Sequence, residues 1–311
     1  MQHRIAVPNF LAVAIGCVCL CSCGVEQTVE IGDEEFDRAG TLQSGGITRS
    51  FEIHLPPNYM STSPPVVILF HRAGGDGFDM RLLSSFDIES NYYGFLAVYP
   101  YAVTDWAYGC DCTSAEADSV DDVQFVLDLL DTLEVDYNIN RDSVFVAGFA
   151  EGALMAQKVI CDASDSFAGL ATVGATMSVP VAEVCAPSRE MPVIMVHGKQ
   201  DDEFPWDGAP NLGALSLLSA DSTVGFWATQ NGCGDRVASE YVGYDTYYNF
   251  DVYREGFEAC PTGGNVVLYR MDGVGAVHGW PNGGFNASNE IAYFFAGAAA
   301  ASAAAVYSPR E

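Results

Sequence analysis

Three stretches of this sequence carry residues whose types and spacing suit acyl transfer. The first is Gly148-Phe149-Ala150-Glu151-Gly152, set between the apolar run Val144–Ala147 and an apolar helical pattern over 150–160. Strand, glycine-bounded turn and helix together make a nucleophile elbow, the G-x-S-x-G bend that lifts one residue above a sheet. Glycines two before and two after that residue remove the Cβ atoms that would clash in so tight a turn. The geometry is spelled out in full, but the central position is Ala150, which has no Oγ. The second stretch is Val193-Ile-Met-Val-His-Gly-Lys-Gln-Asp201, an apolar strand ending in a loop that bears an acid, with Asp202 as its neighbour. The third runs from Leu268 through Met271 to His278-Gly-Trp-Pro281, a strand and then a loop bearing a histidine. An acyl-transfer site needs a nucleophile, a histidine base, an acid that orients it and two backbone N–H groups for the oxyanion. Acid and base follow the elbow in workable order; the nucleophile is missing.

Those side chains need a frame, and the sequence supplies one. Val66–Phe70 and Phe95–Tyr99 are continuous apolar runs bounded by prolines, the pattern of strands buried on both faces of a parallel sheet. Further strands are expected over Arg49–Leu55, Ala168–Val173, Val193–Val196 and Asn265–Met271. Val123, Val126, Leu127, Leu130 and Leu133 mark one face of a helix over Val120–Tyr137. Helices are also expected over Ser222–Gln230 and Ala287–Phe295. Strands alternating with helices argue an α/β fold with a mainly parallel sheet. We expect one domain over 46–300, an acidic, glycine-rich tether over 23–45 and an Ala-rich tail over 301–311.

With 41 acidic and 13 basic residues, the formal charge of −28 repels phosphate backbones and argues against a nucleic-acid partner. Residues 1–22 are expected to be an export leader: His3 and Arg4 precede an apolar run from Ile5 to Leu20 that is short for a membrane span. Leu20-Cys21-Ser22-Cys23 resembles a bacterial lipobox, which would make Cys23 a lipid anchor and the only membrane attachment; ordinary secretion is the alternative. Either places the chain outside the cytoplasm, at the cell surface or free. Beyond Cys23 the sequence holds Cys110, Cys112, Cys161, Cys185, Cys233 and Cys260, an even set that reads as disulfides in an exported chain. Sequence order suggests Cys161–Cys185 and Cys233–Cys260, each stabilising by about 3 kcal/mol through loop closure. Cys110 and Cys112 either pair with each other or stay free. No ligand cluster of metal-site spacing is legible, so neither a metal nor an organic cofactor is expected.

The chain resembles the secreted feruloyl esterase and polyhydroxybutyrate depolymerase group of the α/β-hydrolase superfamily. The pieces that carry the resemblance are Pro65–His71, Gly94–Pro100, Val120–Phe125, Tyr137–Asn140, the elbow, His197–Asp201, Trp206–Gly208, Trp227–Cys233 and His278–Pro281, in the order of that group. The resemblance implies an α/β-hydrolase fold, Asp201 rather than Asp202 as the triad acid, His278 as its base and the same two disulfides. It puts the nucleophilic serine at Ala150. It puts the oxyanion donors at the backbone N–H of Glu151 and of Arg72 or Ala73, although Arg72 stands where that group has a glycine.

Other residues have plainer readings. Ser143 and Ser166 flank the elbow's strand and helix and do not replace the hydroxyl. The Glu151 side chain suits the first turn of a helix, and His71 suits a brace. Trp106, Trp206 and Trp280 either line an aromatic or sugar-binding cleft or pack inside. The expected function is an exported carboxylic-ester-hydrolase-type protein, inactive or weakly active, that keeps a cleft for an ester-bearing polysaccharide, a polyester or a small aromatic ester. A surface-tethered binding protein that uses the fold as scaffold, water activation by His278, and an active esterase carrying an inactivating serine-to-alanine substitution are the alternatives.

Overall fold

Unbroken apolar runs become the interior of one sheet. The computed structural model of the protein describes residues 29–31, 36–57 and 59–307; the leader and Cys23 lie outside them. Strands β1 (Val29–Ile31), β2 (Asp37–Ser44), β3 (Ile47–His54), β4 (Val66–Phe70), β5 (Leu96–Pro100), β6 (Val144–Phe149), β7 (Gly169–Val173) and β8 (Val193–Gly198) belong to it. A separate small hairpin, β9 (Ala209–Leu212) with β10 (Leu215–Leu217), precedes the last three sheet strands, β11 (Val237–Asp245), β12 (Phe250–Phe257) and β13 (Val266–Asp272). The order across the sheet is β1-β2-β3-β5-β4-β6-β7-β8-β13-β12-β11. The six central strands, β5 to β13 in that order, run parallel, while β1–β3 on one side and β12 and β11 on the other are antiparallel. Every residue of β4, β5, β6, β7 and β8 is buried, as a parallel sheet covered on both faces requires.

Helices cover the sheet: α1 (Gly77–Ser84), α2 (Phe86–Tyr93), α3 (Ser114–Ala117), α4 (Asp122–Tyr137), α5 (Glu151–Ala163), α6 (Val179–Val184), α7 (Ala220–Gln230) and α8 (Ala287–Tyr307). Helix α5 packs on β4, β6 and β7, α7 on β8 and β13, and α8 on β7, β8 and α2. Phe145 of β6 stacks on Phe295 of α8 with ring centroids 4.5 Å apart. Among the described residues no helix is long and apolar enough to cross a membrane.

Two boundaries differ from expectation. The supposed tether contains β2, paired with β3 along its whole length through the two-residue turn Gly45–Gly46, both at positive φ. Its inward residues are Gly40, Leu42 and Ser44, so the strand's alternation rests on one large apolar side chain and is nearly invisible in sequence. Gly40 is required there, because a Cβ would come within 2.5 Å of the Phe51 ring. At the other end α8 runs past Phe295 to Tyr307, so the first part of the Ala-rich tail continues the last helix.

The six cysteines from Cys110 onward are all bonded: Cys161–Cys185 joins the end of α5 to the end of α6, and Cys233–Cys260 joins the segment after α7 to the segment after β12. Cys110 pairs with Cys112 across one residue. The amides of Gly109, Cys110, Cys112 and Thr113 donate to Glu116 at 2.5 to 3.0 Å, which organises the loop around that carboxylate.

Candidate active site

Because the central strands are parallel, the loops that leave β4, β6, β8 and β13 emerge on one edge of the sheet, where ligand sites of open α/β sheets form. The elbow sits between β6 and α5. A Cβ on Gly148 would lie 2.1 Å from the carbonyl oxygen of Gly152, and one on Gly152 would lie 2.1 Å from that of Phe70. Both glycines are therefore steric necessities that let α5 close onto β6 and β4. Between them Ala150 adopts φ 53° and ψ −121°, a region that costs a side-chain-bearing residue about 1–3 kcal/mol and persists only where its surroundings fix it. Here they do: Ala150 N donates to Val173 O at 3.0 Å, its carbonyl caps α5 by accepting from Ala153 N, and it is 1 % exposed.

The acid and base loops are locked together. Gln200 N donates to Ala276 O at 3.0 Å, and Gly273 N donates to the Gln200 side chain at 3.2 Å. Gly198 lies so close under the second loop that a Cβ would be 2.1 Å from Ala276 O. This joins His278 Nδ1 to Asp201 Oδ2 at 2.9 Å. The other oxygen of Asp201 accepts from the amides of Glu203 and Phe204 at 3.0 and 2.8 Å, so the carboxylate is buried and satisfied while Asp202 is exposed. The His278 ring is stacked between Phe149, at 4.8 Å, and Phe204, at 5.5 Å. Burial pulls the imidazole pKa down, but the hydrogen bond and charge of Asp201, aided by Glu203 and Glu151, outweigh it and hold the group above its ordinary value. Nε2 lies 3.8 Å from the Glu203 carboxylate. Phe149, which immediately precedes Ala150, thus brings elbow and histidine side by side.

The loop after β4 faces the same elbow. Ala73 N donates to Glu151 Oε2 at 3.0 Å, while the Arg72 side chain is exposed. His71 holds this loop from below: its Nδ1 donates to Arg72 O at 2.8 Å and its Nε2 accepts from Ala102 N at 3.1 Å. One donor and one acceptor fit a neutral ring, and burial lowers its pKa. Tyr108 is buried, and burial followed by the Glu151 charge pushes its phenol up to about 12.

Trp106, Trp206 and Trp280 all sit inside. Trp106 donates to His71 O at 2.9 Å and meets Phe70 edge-on; Trp280 donates to Ser288 Oγ at 3.0 Å. Trp206 packs on the buried ring of His197. Of the three, Trp280 shares with His278, Tyr248 and Phe250 the lining of a small cavity of about 70 Å³. Phe149, Phe204 and Gly174 were not legible as site residues. Gly174 has φ +63°, and a Cβ there would meet Phe149 at 2.9 Å and His278 at 3.2 Å. The expectation for the Glu151 side chain, a first-turn helix acid, gave no hint of its reach to Ala73.

No family model matches the chain. Over 253 residues, 77 % of this chain and 73 % of the relative, it is 27 % identical to the putative esterase NocK of Nocardia uniformis subsp. tsuyamanensis. Among solved structures it is similar to the acetyl xylan esterase from Aspergillus awamori, with TM-score 0.56 and 16 % identity over 88 % of this chain and 98 % of that one. The fold is that of the α/β-hydrolases. Est1E from Butyrivibrio proteoclasticus is a second similar structure, with TM-score 0.51 and 12 % identity over 86 % of this chain and 99 % of that one. In this α/β-hydrolase frame the central residue of the elbow is Ala150, and the Asp201–His278 pair stands beside it.

Proposed function

We propose that this chain is a carboxylic-ester-hydrolase-type protein that keeps the acid–base half of a triad and has lost the nucleophile. The observation that carries the proposal is the Asp201–His278 bond beside a fully formed elbow whose central residue is alanine. The similarity to a putative esterase supports the ester-hydrolase class. With a serine at 150, Oγ would attack an ester carbonyl as its proton passes to His278 Nε2. The ester C–O bond would then break, and the leaving alkoxide would take that proton. Water, deprotonated in turn by His278, would release the acid and free the serine. Alanine permits none of these covalent steps. Loss of a triad nucleophile lowers kcat by about 10⁶, and about 10³–10⁴ over water can persist through the rest of the site.

The ligand class in this reading is an ester-bearing polysaccharide, a polyester or a small aromatic ester, held without turnover. The apolar leader and the bonded cysteines support an exported protein, anchored through Cys23 or free.

The test is Ala150→Ser, assayed with short-chain nitrophenyl esters and methyl ferulate. The native protein is expected to be near background and the serine variant to exceed it by about 10² or more, a fraction of a complete triad's effect. Native turnover at ordinary esterase rates would sink the proposal, and so would complete inertness of every serine-bearing variant.

A further inference from the structure

Glu151 occupies the first helical position of α5, and its own amide has no acceptor within the helix. In the ester-hydrolase reading this amide and a donor on the β4 loop would hold the oxyanion. One of the two candidate loop donors, Ala73 N, is already bonded to a carboxylate oxygen of the same Glu151 at 3.0 Å. A hydrogen bond to an ionised acceptor is roughly twice as strong as a neutral one, and the positive end of α5 favours the anion at this place. Lys158 of the same helix is paired with Asp162. On the outward side of the base, Glu203 lies 3.8 Å from Nε2 of His278. An incoming carbonyl or carboxylate oxygen therefore meets an amide that is taken.

We propose that the Glu151 side chain is a built-in occupant of the oxyanion site, which excludes external carboxyl oxygens from the Ala73 amide. The inference rests on the ester-hydrolase reading for the identity of the ligand excluded. The lost catalysis then has two separable parts, an absent hydroxyl at 150 and an obstructed anion site at 73. Restoring the serine repairs the first and leaves the second.

The experiment has two arms on the full chain. In the first, isotope-labelled native protein, Glu151→Ala and Glu151→Gln are titrated with sodium acetate while the Ala73 amide resonance is followed. Folding of each variant is checked by its melt. Acetate is expected to move that resonance saturably in Glu151→Ala, with at least about tenfold weaker binding in the native protein, and Gln, the same size but uncharged, in between. In the second arm, Ala150→Ser and Ala150→Ser/Glu151→Ala are compared on p-nitrophenyl acetate. Gaining one oxyanion donor is expected to raise kcat by about 10²–10³. Equal acetate affinity in native and Glu151→Ala protein overturns the inference. So does equal, measurable turnover by the two serine variants. Inert serine variants with the acetate response intact instead sink the ester-hydrolase reading and leave the occupancy of the site supported.

Discussion

His278 donates through Nδ1 to Oδ2 of Asp201 at 2.9 Å, and the opposite oxygen of that aspartate is held by two backbone amides. The acid is thus fixed before the base reaches it. The imidazolium is favoured because the Asp201 bond and charge exceed the penalty of burial. We expect the His278 Cε1 proton to titrate above 6.5, the ordinary value, and Asp201→Asn to drop it below. A folded pKa above the unfolded one stabilises the native state fully below about pH 6.5, and that contribution is lost as pH rises through the folded value. Thermal melts of native protein and Asp201→Asn should therefore differ most at the acid end of a pH 6–9 series. A native titration at or below 6.5 would contradict the account.

His197 behaves in the opposite sense. It is fully buried, donates from Nε2 to Phe204 O at 2.9 Å, and leaves Nδ1 without a partner among the described residues. Burial pulls its pKa down to about 4, against the opposing charge of Asp201. Between about pH 6.5 and 4 the unfolded chain takes up a proton that the native one refuses, so stability falls as pH falls through that window. Melts of a His197→Gln variant, which cannot titrate there, should show a shallower fall than the native protein across the same window. Parallel curves would remove His197 from the explanation.

Arg49 of β3 and Asp122 of α4 form a buried ion pair at 2.6 Å, with side chains 2 % and 0 % exposed. The same two residues tie down the loop carrying Trp106: Arg49 donates to Tyr101 O at 3.2 Å, and Asp122 accepts from Ala107 N at 2.7 Å. Removing one partner leaves a buried charge unmatched, which costs about 3–5 kcal/mol. Asp122→Ala should lose that much in urea unfolding, and Arg49→Met/Asp122→Leu much less. Equal losses in the two would mean that packing, and not the stranded charge, sets the cost.

The glycines offer a matched comparison. An alanine at 152 would press its Cβ against two backbone carbonyls, at 2.1 and 2.6 Å, whereas one at Gly225 in α7 meets nothing within 4 Å among the described residues. Gly152→Ala should destabilise by about 3 kcal/mol, at the upper end of overpacking. Gly225→Ala should gain about 0.5–1 kcal/mol from helix propensity. Denaturant midpoints at constant slope would read both, and a tolerated Gly152→Ala would mean that α5 can back away from β4.

The parallel core could be read from sequence because strands buried on both faces leave uninterrupted apolar runs such as Val66–Phe70 and Val144–Phe149. The outer strands could not. Most of β11 is exposed and its register is interrupted by irregularities, so Val237–Asp245 has no alternation to display. Helices α1 and α2 are short, and Ser85, in the left-handed conformation at their junction, breaks what would be one pattern. At the site, a strand-end acid followed by a strand-end histidine was legible from order, the family resemblance picked Asp201 over Asp202, and the structure brings Asp201 and His278 together. The stacking of Phe149 and Phe204 on His278 was not legible, because it joins the end of β6 to two separate loops. The reach of Glu151 to Ala73 depends on a side-chain direction across a gap of 78 positions in the chain.

The backbone at Ala150 has a practical consequence. Its unusual dihedrals are imposed by Gly148 and Gly152 and by the hydrogen bond to Val173, none of which involves the side chain at that point. Position 150 is thus a mounting socket: whatever small side chain is installed there is presented at the head of α5, beside an imidazole already in place. Serine and cysteine, each one heavy atom larger than alanine, can be compared there on the same turn and beside the same imidazole, which separates the chemistry of the nucleophile from that of its surroundings.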